Sequence, residues 1–178
     1  MSAVKTLWDL ISHRSRVVVE AAPLIRERAG KPRSTHMRDR YEQMTRQMLR
    51  EHQVRVRKWR SSMSGVAWQV TYRDGKVSRL IESPQPRGPM SAAIFLHEIG
   101  HHAIGFGRYR PRCLEEYHAW VFSLDQMQRW ELNITDNVRK RARESLKYAV
   151  RKAQRRGLVS VPSELVCVLT PEGFNRWR

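Results

Sequence analysis

Two periodic patterns share the short segment between Ser91 and Gly105. Ala92, Phe95, Leu96, Ile99 and Ala103 recur at steps of three and four, which is one apolar face of a helix. His97, Glu98 and His101 fall off that face. The spacing predicts a helix over about 92–103, with Ser91 placed to cap it and Gly105 and Gly107 ending it. Positions four apart on a helix differ by about 40° of rotation, so His97 and His101 project together. Both imidazoles can then reach one Zn²⁺ at about 2.0–2.1 Å. Glu98 projects to the side of the pair, where a carboxylate can take a proton from a water at the metal. Gly100 removes a side chain and lets another element pack close. A chain of 178 residues with 7 His produces such a His-Glu-x-x-His pattern by chance about 0.02 times.

A catalytic zinc takes three protein ligands and keeps one position for water. Five residues are candidates for the third ligand: Glu115, Glu116, His118, His102 and Cys113. His102 points about 100° away from His101 around the helix, which disfavours it. Glu116 lies on a stripe otherwise formed by Trp120, Ser123, Met127 and Trp130. A carboxylate on an apolar stripe is costly to bury unless it is paired or bound to metal. Ala119 is small enough to let two helices approach. Glu116 is therefore the expected ligand, and Glu115 reads as a solvated acid favoured by the helix N-terminus.

The remaining chain supplies a frame for this helix. Met37, Tyr41, Met44, Met48 and Trp59 recur at steps that suit one helix from about His36 to Trp59, packed on a core. Val66, Trp68, Val70 and Tyr72 then alternate with other residues, which is strand spacing. Asp74-Gly75 supplies a tight turn, and Val77 to Glu82 returns as a second strand. Further helices are predicted over about Leu114–Trp130 and from Thr135 to just before Gly157. The tail with Leu165, Val166, Val168 and Leu169 reads as a last strand or a packed extension. In the first 34 residues, Leu7, Leu10 and Ile11 suggest a short helix. The expectation is one α+β domain over residues 1–178, a small sheet or hairpin beside a helical body. Its hydrolytic core covers about 66–130 and its basic helix about 135–156.

The segment Phe95-Leu96-His97-Glu98-Ile99-Gly100-His101-His102, followed by Glu116-Tyr117-His118-Ala119-Trp120-Val121-Phe122-Ser123, resembles the zincin core of the ImmA/IrrE metallopeptidase family. The Glu-Glu-x-x-Ala pattern is also similar to the ArdC-like metallopeptidase domains of mobile elements. The resemblance implies a compact zincin-like fold in which a small sheet precedes the active-site helix. It also implies zinc ligation by His97, His101 and Glu116, with Glu98 as general base. Trp120 stands where ImmA/IrrE proteins usually carry Asn or Asp.

Charge adds a second theme. Thirty-four Lys and Arg against 17 Asp and Glu give +17, which attracts polyanions such as nucleic acid or an acidic partner. Much of the excess lies between Val138 and Arg156, where Arg139, Lys140, Arg141, Arg143, Lys147, Arg151, Lys152, Arg155 and Arg156 oppose an apolar stripe of Val138, Ala142, Leu146, Ala149, Val150 and Ala153. Mean hydropathy of −0.64 and the lack of a roughly 18-residue apolar run exclude membrane insertion by a helix. Two cysteines, Cys113 and Cys167, make no disulfide framework, and the N-terminus lacks the pattern of a signal peptide, so a cytoplasmic protein is expected. Tyr109, Tyr117, His118 and Tyr148 are all candidates to stabilise an oxyanion. The function expected is zinc-dependent hydrolysis of a protein or peptide substrate. The alternative is a nucleic-acid-binding protein of a phage or mobile element with a structural or vestigial zinc site.

Overall fold

The computed structural model describes residues 33–170. The helix expected around Leu7–Ile11 lies outside the described residues. The order of elements is α1 (Arg33–Glu51), β1 (Val54–Arg60), β2 (Val66–Thr71), β3 (Val77–Pro84), α2 (Pro89–Ile104), α3 (Arg112–Arg129), α4 (Asp136–Gln154) and α5 (Ser163–Leu169). The described residues are thus α+β, five helices and one three-stranded sheet.

The expected 36–59 helix is corrected. It ends at Glu51, and Gln53, at φ 53°, turns the chain out of the helix. The next seven residues, Val-Arg-Val-Arg-Lys-Trp-Arg, are strand β1. Their first four alternate Val and Arg, a period of two that the helical spacing of Trp59 obscured. Val54 is buried, and Val56 packs against the core. The hairpin is as expected: β2 and β3 pair antiparallel from Val66↔Glu82 to Thr71↔Val77, around Asp74-Gly75. β1 adds parallel to the other side of β3, giving the order β1-β3-β2. β3 is therefore central, with Ile81 fully buried.

Tyr41, Met44 and Met48 of α1 enter one core with Phe95, Leu96 and Ile99 of α2. Trp120 and Met127 of α3 join it, as do Val138 and Leu146 of α4 and Leu165 of α5. The methionines of α1 are ordinary packing. The tail is the short helix α5, whose Leu165 is buried. α4 follows the expected boundaries, and Thr135 caps it by accepting from the Val138 amide at 3.3 Å.

α2 lies at the centre. Every residue from Ser91 to His102 is buried. Its start differs from expectation: Gly88 is the N-cap, and Pro89 opens the helix with its φ preset and no amide to satisfy. Ser91 sits three residues further on. Its hydroxyl accepts from the Arg87 and Gly88 amides and donates to the Gly88 carbonyl. Gly100 performs the predicted role, because a Cβ there would lie 2.9 Å from the Ala119 carbonyl oxygen and 3.2 Å from Ala119 Cα. α2 and α3 thus meet main chain to main chain. Ser123 ties them again by donating to the Ala93 carbonyl at 2.8 Å. Among the described residues no helix is long and apolar enough to cross a membrane.

Candidate metal centre

The Gly100–Ala119 contact places the polar groups of α2 opposite the first turns of α3. His97 Nε2 lies 3.3 Å from Glu116 Oε2, and His101 Nε2 lies 3.6 Å from the same oxygen. One donor atom from each of the three residues falls within 4.8 Å of the others, so the group can hold a metal ion. A tetrahedral ion with ligands at about 2.0–2.1 Å separates its donors by roughly 3.4 Å. The spacing fits. Two imidazole nitrogens and a carboxylate are also donors that Zn²⁺ accepts.

Each ring is held from its far side. The His97 ring stacks on Trp120, centroids 4.5 Å apart and planes at 28°. His97 Nδ1 has no hydrogen-bond partner, so the aromatic face of Trp120 is what sets this ring. His101 stacks on Phe106 at 6.0 Å, and its Nδ1 lies 3.5 Å from Glu115 Oε1. Burial opposes charge on His101, but Glu115 and Glu116 overcome it and raise its pKa to about 9. His97 has less carboxylate around it, and burial lowers its pKa. Burial acts to raise Glu116, yet the two imidazoles hold it well below the usual carboxylate range.

Glu115 corrects the expectation of a solvated acid. It is 1% exposed, and its Oε2 accepts from the Gly107 amide at 2.8 Å. Arg112 pairs with its Oε1 at 3.0 Å and with Glu116 Oε1 at 3.2 Å. A carboxylate behind a ligating histidine orients the ring and raises its basicity. Glu115 is placed for that role, and its neighbour Glu116 is placed among the donors.

The other candidate ligands are outside this three-donor group. His102 Nε2 reaches the Leu80 carbonyl at 3.1 Å and ties α2 to the central strand. Burial, with the Arg79 charge adding to it, pushes its pKa down to about 4. His118 stacks on Tyr109 at 3.8 Å. Cys113 is a buried free thiol, and burial raises its pKa.

Glu98 is 6% exposed, and burial raises its pKa to about 7. Its carboxylate lies against Gly65 in the β1–β2 connection, where an added Cβ would sit 2.7 Å from Glu98 Cδ. Gly65 is a site residue that sequence reasoning missed, since only the folded chain brings it to Glu98.

A cleft of about 850 Å³ opens over these groups. Its floor carries His97, Glu98, His101 and Glu116, and Val66 and Ala67 of the edge strand β2 border it. The opposite wall is α4, which presents Arg141, Ser145, Tyr148 and Lys152 at helical steps of three and four, and the turn after it adds Arg156. Of the four residues considered as oxyanion donors, Tyr148 lines this cleft, and Tyr109, Tyr117 and His118 do not. Comparison of the chain with protein-family models, curated proteins and solved structures finds no match.

Proposed function

We propose that this protein is a zincin-like, zinc-dependent peptidase, with His97, His101 and Glu116 as metal ligands and Glu98 as general base. The observation that carries the reading is the pairing of a three-donor group with a buried, unspent carboxylate on one cleft floor. A structural metal site needs ligands but no base. Bound zinc would supply Lewis acidity toward a water and a scissile carbonyl. Glu98, with its pKa raised toward neutrality, suits a group that must both accept and release a proton. It takes one proton from the attacking water as the new C–O bond forms. It then delivers that proton to the leaving amine nitrogen as the C–N bond breaks. Trp120 and Glu115 hold the two histidines in orientation, and Tyr148 offers a phenolic donor from the facing wall for charge developing on the carbonyl oxygen.

Glu98→Gln should keep zinc and fold while hydrolysis falls by about 10²–10⁴-fold, the usual worth of acid–base assistance. His97→Ala and Glu116→Ala should lose zinc. If Glu116→Ala retains full zinc occupancy, the ligand set is wrong. If Glu98→Gln hydrolyses as the unsubstituted protein does, the peptidase reading fails.

A further inference from the structure

The cations of α4 and of the turn that follows it do not all face outward. Arg141, Lys152 and Arg156 line the same cleft as the hydrolytic groups. Arg112, the remaining cation there, is engaged by Glu115 and Glu116. Among the described residues, Lys152 and Arg156 form no ion pair, and the Lys152 ammonium lies over the Tyr148 ring, 5.9 Å from its centroid. Arg141 donates to the Met63 carbonyl at 3.3 Å and meets no carboxylate. Positive charge is thus concentrated on one wall, and the opposing floor holds Glu98 and Glu116. Between the charges the cleft is lined by small and apolar groups, Ala149, Ala153, Leu158, Ile94 and Val66.

We propose that the α4 wall selects substrate, and that the cleft takes an acidic peptide segment whose carboxylates meet Lys152, Arg156 and Arg141. This rests on the hydrolytic reading of the same cleft. A peptide fits the division of charge because its acids sit on alternate side chains and its backbone is neutral. It can send carboxylates to α4 and lay an uncharged amide over the floor. A nucleic acid strand carries a charge at every nucleotide and would bring phosphates against Glu98. Single-strand binders also use a row of stacking aromatics, and α4 offers this cleft Tyr148 alone.

The test is binding of fluorescent peptides to zinc-loaded, full-length Glu98→Gln protein, read by anisotropy. The probes are an alternating Glu-Ala peptide of about 12 residues, its Gln-Ala counterpart, and an oligothymidylate of similar length. The Glu-Ala peptide should bind about 10-fold more tightly than the Gln-Ala peptide, and the difference should shrink at about 0.5 M salt. Lys152→Gln/Arg156→Gln should remove most of it. Arg151→Gln/Arg155→Gln removes the same net charge from positions that do not line the cleft, and should keep most of it. All four side chains are exposed, so both variants should fold, which thermal melts check. Equal binding of the two peptides overturns the proposal, as does equal loss in both charge variants. Tighter binding of the oligothymidylate that depends on Lys152 and Arg156 overturns it in favour of nucleic acid. Hydrolysis is scored separately with the unsubstituted protein on an unbiased peptide mixture. Cleavage with no acidic preference overturns this proposal and leaves the peptidase reading standing. Acidic binding with no cleavage overturns the peptidase reading alone.

Discussion

Gly65→Ala isolates the contact that holds Glu98. An ideal methyl at Gly65 lies 2.5 Å from Glu98 Cγ and 2.7 Å from Cδ, with Oε1 nearer still, where ordinary contact begins near 3.4 Å. The side chain must therefore retreat by about 1 Å. It is buried on a helix whose neighbouring residues are all buried, so it cannot yield into solvent without a change of rotamer. A misplacement of about 1 Å in a catalytic group costs roughly 10²-fold, which is about 2.7 kcal/mol of transition-state stabilisation. The backbone at Gly65 does not require glycine, because its φ is outside the left-handed region. Overpacking of about 1–3 kcal/mol is thus partly offset by the gain of about 0.4–1 kcal/mol that Ala brings through the unfolded chain. The expected variant is folded, zinc-replete and about 10²-fold slower in kcat/KM. Peptide hydrolysis with parallel metal analysis measures both quantities. Repeating the substitution in Glu98→Gln protein should cost little further activity, since the two changes act through one carboxylate. Full activity in Gly65→Ala would refute the argument, and so would additive losses in the double variant.

Gly100→Ala should weaken zinc binding and lower Tm, because the methyl meets the Ala119 backbone and pushes Glu116 from the histidines. Overpacking of about 1–3 kcal/mol exceeds or cancels the helix-propensity gain of about 1 kcal/mol; a raised Tm with unchanged zinc affinity would contradict it. Glu115→Gln should reduce zinc affinity by about 10–100-fold, the usual effect of losing a carboxylate behind a ligating histidine, as measured by chelator competition. His102 should make the metal-free protein acid-sensitive. Its pKa is about 4 when folded and about 6.5 when unfolded, so its contribution is complete above 6.5 and is lost as pH falls through 4. Urea unfolding should show the unsubstituted protein losing about 2–3 kcal/mol more than His102→Gln between pH 7 and 4.

The sequence showed some parts of this arrangement clearly and others not at all. The α2 pattern placed His97, Glu98 and His101 because local helical geometry alone decides which residues share a face. Asp74-Gly75 marked the hairpin for the same reason. Glu116 was legible as an acid on an apolar stripe. The burial of Glu115 was not, because it depends on the angle at which α3 crosses α2 and on the Gly107 amide, eight residues earlier. β1 was hidden by its basic residues: alternate arginines leave only Val54 and Val56 to report a strand, and Trp59 continued the helical count by coincidence. Gly65 gave no local signal, since its neighbour Glu98 is more than thirty residues away in the chain.

The cleft also has a length. Within α4 the wall runs from Arg141 to Lys152, eleven helical steps of 1.5 Å, or about 16 Å. An extended peptide advances about 3.3 Å per residue, so roughly five residues span that distance. Arg141 closes on the Met63 carbonyl near one end, while Gly157 and Leu158 border the other. A bound segment would therefore be measured along α4 from a fixed stop, so the position of the cut would be set by distance as well as by charge.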